Sequence, residues 1–283
     1  MIVKKIAVIG LGIIGSRAAA RLADGPELEV SVWNRTPKDL PGEKATPQEA
    51  VAGADIISLY LKDAPAVREI GAQVIAAAAK GAVVMNHSTI DLATTLWLGE
   101  QCAAAGLEFL DAPFTGSREA AANGALVYYA AGDETLIESC TWILRKSGKA
   151  VIRAGAVGNA TILKLVTNLI SACTVQALSE SLGTATRHGI PADSLIEAVA
   201  LNACGSPLAA MKLPTMAEGN FETHFSLENM LKDSRYALEL AEQAGLETPA
   251  IRTVSRRMAE LCDAGLGGQD YSALASPYLP QEA

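Results

Sequence analysis

The chain has 283 residues, half of them hydrophobic, 19% charged and 5% aromatic, and its formal net charge is -8. Such a composition supplies a sizeable core and excludes a disordered chain, and the length suits two domains of ordinary size. Without a cluster of Lys and Arg, the negative balance excludes a nucleic-acid binder, which must neutralise phosphates, but allows an anionic small substrate met by local positive charge.

Taken in chain order, residues 4–9 (KKIAVI) form an apolar, β-branched run ending at Gly10, and an Ala-rich helical pattern follows from about Ile14 to Ala23. Further strands are expected at Glu29–Trp33, Asp55–Leu59, Ala82–Met85 and Glu108–Leu110, with helical patterns between most of them, such as Ala64–Ala79 and Ala93–Ala105. Strands alternating with helices imply βαβ units and a parallel sheet. The continuously apolar IAVI and AVVM fit strands buried on both faces. Two more β segments, Leu126–Ala131 and Lys149–Ile152, bracket a helix near Glu134–Ser147. After Gly158 strand signals nearly vanish, and helices are expected at Asn159–His188, Ala192–Asn202, Leu227–Ala244 and Pro249–Ala264. The expected architecture is therefore an α/β domain over 1–158 with a mostly parallel sheet, then an all-α domain over 159–283. The tail from Gly265, with its Gly, Ser and Pro, is expected to wrap over a neighbour or fray.

The five cysteines, at 102, 140, 173, 204 and 262, include no C-x-x-C pair. Reduced thiols in a cytoplasmic setting are expected, with no metal site. The opening residues show no secretory signal pattern. The uncharged stretch Leu165–Ser179 is too short to span a bilayer and reads as a buried core helix, so no membrane partner is expected.

Three segments carry chemistry. Gly10-Leu11-Gly12-Ile13-Ile14-Gly15 fits G-x-G-x-x-G between a strand and a helix, the context in which that pattern binds a dinucleotide pyrophosphate at the helix N-terminus. At the end of the second strand, where an NAD enzyme usually places Asp or Glu for the ribose hydroxyls, stand Asn34, Arg35 and Thr36. Arg35 can pair with a 2′-phosphate and Asn34 does not repel it, so the expected cofactor is NADP(H). Leu61, after the third strand, belongs to the same expected cofactor contacts.

The second segment comprises two loops, Asn86-His87-Ser88-Thr89 and Asp111-Ala112-Pro113-Phe114-Thr115-Gly116-Ser117, both after strands and so at the ligand-binding edge of a parallel sheet. Thr115 and the small residues after it can offer a hydroxyl and N–H groups to a carboxylate. The third segment is a helix on which Lys164 and Asn168, four apart, share a face. From these residues alone Lys164 reads equally as a lysine lining a wet cleft or as one snorkelling to the surface.

The fingerprint, NRT, the Ser-Thr pair, DAPFTGS, G-x-x-G-x-x-x-x-x-K-x-x-x-N and Leu231-Lys232-Asp233 occur in one order over nearly the whole chain. Together they resemble the β-hydroxyacid dehydrogenase family (3-hydroxyisobutyrate dehydrogenase-like), and within it the glyoxylate/succinic semialdehyde reductase branch. Most of the family has Ser-Gly-Gly where this chain has Thr115-Gly116-Ser117, and Arg118 and Glu119 stand where that branch is more basic. The resemblance implies a Rossmann domain and an all-α domain joined by a long helix, assembled as a homodimer or homotetramer. It implies that Lys164 is the general acid, that Asn168 places substrate and lysine, and that Thr115, Gly116 and Ser117 hold the substrate carboxylate. It places Thr89 and Lys232 at the cofactor, with Asp233 supporting that corner, and Phe225 on the pocket wall. The implied reaction is reduction of a small carboxylate-bearing carbonyl compound. An ordinary lysine, with a pKa of about 10.4, is already charged near neutrality.

Three rivals stand beside this reading. A histidine-centred site would use His87, His188 or His224, yet His188 sits at a helix end where a basic residue is simply favourable, and nothing in the sequence pairs His87 with an acid. An imine reductase resembles the layout but usually has another residue type at the position of Lys164. A silent NADPH-binding module would not need the set Lys164, Asn168 and Lys232.

Overall fold

The computed structural model describes residues 4–279, which divide into two compact units, one ending at Lys164 and the other beginning at Leu165. In the first unit the order is β1 (Lys4–Ile9), α1 (Gly15–Ala23), β2 (Leu28–Trp33), α2 (Pro47–Val51), β3 (Ile56–Leu59), α3 (Ala64–Ala77), β4 (Val83–Asn86) and α4 (Leu92–Ala104). There follow β5 (Glu108–Asp111), β6 (Phe114–Thr115), α5 (Arg118–Ala122), β7 (Leu126–Ala131), α6 (Glu134–Ser147) and β8 (Gly148–Gly155). The strands form one sheet in the order β2-β1-β3-β4-β5-β7-β6, with β8 also on β7. Pairing is parallel throughout β2 to β5 and between β7 and β8, and antiparallel where β7 meets β5 and β6. This is the Rossmann-like, mostly parallel sheet expected from the alternation.

Ile6, Ala7, Val8 and Ile9 of β1 are all fully buried, as a strand flanked on both sides and covered on both faces must be. Helix starts follow capping chemistry: Asp63, Asp91 and Asp133 each accept an N–H from the first turn of α3, α4 and α6.

Helix α7 (Asn159–Arg187) runs from the first unit into the second. Its 29 residues are long and apolar enough to cross a membrane by length and composition, and they match the helix expected over Asn159–His188 to within one residue. Ala172, Val175 and Leu182 are nonetheless buried in the core of the second unit, the behaviour of a core helix. That unit continues with α8 (Ala192–Leu201), α9 (Pro207–Ala217), α10 (Leu227–Gln243) and α11 (Pro249–Leu261).

The tail departs from expectation. A π turn at Cys262–Leu266 leads to a 3-10 helix, Tyr271–Tyr278, in which Tyr271 through Ala275 are buried in the second unit's own core. Asp270 holds it there. Its carboxylate pairs with Lys212 at 2.6 Å and accepts N–H bonds from His224, Phe225 and Ser272 at 3.0–3.1 Å. Farther on, the Tyr278 hydroxyl accepts from the Gln176 amide at 2.9 Å. A segment so fixed does not fray.

Candidate active site

β1 has β2 on one side and β3 on the other, so the strand order reverses beyond Gly10, where sheets of this kind hold nucleotides. Gly10 has φ +100°, and a Cβ there would lie 2.2 Å from the Tyr60 carbonyl oxygen. At Gly15 a Cβ would lie 2.1 Å from the Gly10 carbonyl oxygen, whereas at Gly12 it would meet nothing within 4 Å. The loop is thus clamped at both ends and open in the middle. Ile14, just before α1, supplies no side-chain cap, so the helix N-terminus stays open to an anion, with the Ser16 N–H bonded to the Gly12 carbonyl at 3.2 Å. These features fit a dinucleotide pyrophosphate.

The adenosine end is built from the tip of β2. Asn34 Oδ1 accepts the Leu11 N–H at 2.9 Å, and Asn34 Nδ2 donates to the Thr36 carbonyl at 2.7 Å. The Asn34 amide therefore ties the fingerprint to the following turn. Arg35, largely exposed, pairs with Glu69 on α3 at 3.0 Å. Ile13 is also exposed. On the other side of β1, the Leu61 N–H donates to Ser88 Oγ at 2.8 Å. Ser88 in turn donates to the Leu59 carbonyl at 3.3 Å, which fixes the loop that carries half-buried Thr89.

His87 is a core residue. Nδ1–H donates to the Ala112 carbonyl at 2.7 Å, Nε2 accepts from the Ser58 hydroxyl at 3.2 Å, and the ring stacks on Tyr60 at 4.5 Å. Burial pushes its pKa down to about 4. A neutral, enclosed imidazole with both nitrogens engaged is no proton donor for a substrate, and this removes His87 as a rival. Among the described residues no cluster of metal-binding side chains occurs, and all five cysteines are unpaired thiols. Burial raises the Cys102 thiol to about 12.

In the DAPFTGS segment, Phe114 and Thr115 form β6 and pair with Tyr128 and Val127 of β7. Gly116 has φ +141°, and Ser117 Oγ accepts the Ala120 N–H at 3.2 Å as the N-cap of α5. The loop is held by its backbone, and the Ser117 hydroxyl still has its proton to donate. Arg118, next along, pairs with Glu119 at 3.1 Å. At the head of the segment, Asp111 is fully buried, and its carboxylate accepts the N–H groups of Gly158 and Thr161 and the Thr161 hydroxyl.

Lys164 and Asn168 are both buried on α7, with 9% and 7% of their surface exposed. A lysine this buried is not snorkelling. In the second unit, Asp233 on α10 is a buried carboxylate held from two sides, by the Asn168 amide at 2.7 Å and the Lys232 ammonium at 3.0 Å. The expected trio of Asn168, Lys232 and Asp233 is therefore one connected cluster. Phe225 lies at the start of α10, half-buried, its ring edge-on to Tyr271 at 6.1 Å.

Two family comparisons cover the chain. The NAD binding domain of 6-phosphogluconate dehydrogenase matches residues 5–158, and the NAD-binding domain of NADP-dependent 3-hydroxyisobutyrate dehydrogenase matches residues 158–278. The chain belongs to the β-hydroxyacid dehydrogenase family. It is thereby an NAD(P)-dependent oxidoreductase acting on CH–OH groups. Glyoxylate/succinic semialdehyde reductase 2 of Arabidopsis thaliana is 30% identical over 279 residues, covering 95% of this chain and 78% of that protein. Reductase 1 of the same plant is 29% identical over 280 residues, covering 95% and 96%. In fold, the chain is similar to Mycobacterium tuberculosis 3-hydroxyisobutyrate dehydrogenase, with a TM-score of 0.89 at 24% identity over 99% of this chain and 100% of that one.

Proposed function

We propose that this β-hydroxyacid dehydrogenase is an NADPH-dependent reductase of a small aldehydo or keto acid, such as glyoxylate or succinic semialdehyde, with Lys164 as general acid. The observation that carries the reading is the burial of Lys164, the only charged residue between Arg153 and Glu180. Burying a cation costs free energy, because desolvation opposes it, so a lysine at this buried place on α7 calls for a use. The names of the two plant reductases support the substrate class.

Gly10 to Gly15, Leu61, Thr89 and Lys232 are the residues that would hold the cofactor, with Arg35 and Thr36 at the 2′-phosphate. When bound, the nicotinamide supplies the hydride that the carbonyl carbon takes up. Lys164 gives a proton to the carbonyl oxygen as negative charge develops there. Thr115, Gly116 and Ser117 offer donors to the substrate carboxylate, and Phe225 supplies apolar wall. Asp233 takes the amide N–H of Asn168 and so fixes the orientation of the amide with which Asn168 would place substrate and lysine.

In the test, NADPH turnover is measured with aldehydo acids and with neutral aldehydes of equal length. The acids should react far better, and equal rates would remove the carboxylate role of Thr115 to Ser117. Lys164→Ala should lower turnover by about a hundredfold or more while the cofactor still binds, and near-normal turnover would remove the lysine from the chemistry. We also propose a homodimer or homotetramer. Leu163, Val166 and Ile170 line up on α7 at helical spacing, 36%, 37% and 62% exposed. A strictly monomeric mass in light scattering would refute it.

A further inference from the structure

We propose that Asp111 is a positioning residue for Lys164, an N-cap supplied from across the fold that sets where the ammonium stands. The proposal rests on the reading of Lys164 as proton donor. Helix α7 starts at Asn159, just after Gly158, which has φ +96° and no side chain to cap anything. The first N–H groups of any helix lack partners within it, and here the partner comes from the end of β5. Asp111 Oδ2 accepts the N–H of Gly158 at 3.2 Å and of Thr161 at 3.0 Å, and Oδ1 accepts the Thr161 hydroxyl at 2.9 Å. The Thr95 hydroxyl on α4 then lies 2.9 Å from Thr161 Oγ1. Three bonds from one fully buried carboxylate thus fix both the rise and the roll of the first turn.

Lys164 follows Thr161 by three residues, so the two lie on adjoining turns of one face, about 4.5 Å apart along the axis. A shift of the cap therefore reaches the lysine almost undiminished. Asp111 also heads the strand-and-loop segment that runs on to Thr115. One carboxylate ties together the loop proposed for the substrate carboxylate and the helix proposed for the proton donor. A cap needed for stability alone could come from a local Ser or Thr, as at α9 and α10. Only a cap from β5 couples α7 to this loop.

The test is a double-mutant cycle on the full chain with NADPH and an aldehydo acid that the wild type reduces. Asp111→Asn should lower kcat about tenfold to a hundredfold, with NADPH affinity, read by nucleotide fluorescence, within about twofold. In a Lys164→Ala background the same change should lower the residual rate less than about twofold, because its route of action is gone. Equal fold losses in both backgrounds, or kcat within about threefold of wild type, would overturn the proposal. Thr161→Val, which keeps the carboxylate, should lower kcat in the same sense and decides the matter if Asp111→Asn does not fold. Full turnover in Lys164→Ala overturns the proton-donor reading and this one with it. Lost turnover there beside full turnover in both cap variants overturns only this one.

Discussion

Under the NADPH preference we propose, replacing Arg35 with Ala should leave the enzyme nearly indifferent to the 2′-phosphate, and the Arg35–Glu69 pair sets the size of the effect. Arg35 is held by Glu69 at 3.0 Å, with the two side chains 68% and 61% exposed. An exposed pair of this kind is worth about 0–1 kcal/mol, whereas a charge-assisted bond to a phosphate is worth about 1.5–3 kcal/mol. The 2′-phosphate must draw Arg35 from Glu69, so the net gain is about 1–2 kcal/mol, or roughly fivefold to thirtyfold in affinity. Arg35→Ala should lower kcat/KM for NADPH by that factor and leave NADH within about twofold. Glu69→Gln should act in the opposite sense, raising NADPH efficiency by up to about fivefold, because it removes both the competitor and a repelling charge. Asn34→Asp, the change that would restore a ribose acceptor, is less clean. Its new carboxylate oxygen would face the Thr36 carbonyl, to which Asn34 Nδ2 now donates at 2.7 Å, so stability should fall along with NADPH affinity. The assay is the ratio of kcat/KM for the two cofactors at fixed ionic strength, since exposed charges are screened. A wild type that prefers NADH, or a ratio that Arg35→Ala leaves unmoved, would refute the reasoning.

Other outcomes follow from the same geometry. Gly12→Ala should fold with an unchanged melting temperature and bind NADPH poorly, because a Cβ there meets open space. Gly15→Ala, 2.1 Å from the Gly10 carbonyl oxygen, should destabilise by about 1–3 kcal/mol or more in denaturant melts. His87, with a folded pKa of about 4 against about 6.5 unfolded, contributes about 3 kcal/mol above pH 6.5 that is lost as pH falls toward 4. Asp111, raised by burial to about 6, has the opposite sign: its contribution is present below about pH 4 and lost as pH rises through 6. Between pH 4 and 6 these two contributions therefore oppose each other, and His87→Gln should gain on the wild type as pH falls. A stability difference between the two that does not change with pH would contradict this. Lys212→Met should cost about 3–5 kcal/mol, because it strands the buried Asp270 carboxylate, and a melting temperature equal to wild type would contradict it.

The elements most legible in the sequence were those whose pattern is local. KKIAVI is β1 to the residue, and Leu126–Ala131 and Glu134–Ser147 are β7 and α6 as expected. The missed elements depend on distant partners or broken patterns. β6 is two residues long and exists by pairing with β7. α9 begins at Pro207 and carries Pro214 inside it, so the helical pattern reads as interrupted although Ser206 caps it. The tail looked like a loop because its anchor, Asp270, finds Lys212 58 residues away. The same holds for the site. The glycine fingerprint was readable, and the Asn168, Lys232 and Asp233 set was readable through family resemblance. Glu69 beside Arg35, Tyr60 behind Gly10 and Asp111 beneath α7 were not, since each acts at a sequence distance of 34 residues or more.

The residues assigned to the site divide by what their polar groups already do. Asn34 has both ends of its amide engaged, with Leu11 and Thr36, and Asp233 has Lys232 and Asn168. Ser88 accepts from Leu61, and Ser117 accepts from Ala120. These groups hold backbone and neighbours in place before any ligand arrives, which lowers the ordering cost of binding. By contrast the start of α1 has no side-chain cap, and the space at Gly12 is open. Arg35 is held only by a weak exposed pair that a phosphate can break. Changes at the first group should therefore disturb folding and binding together, whereas changes at Gly12 and Arg35 should separate them. Asn34 and Arg35 are neighbours in sequence but belong to different groups, so a contrast between them in melting temperature and cofactor ratio tests whether the division is physical.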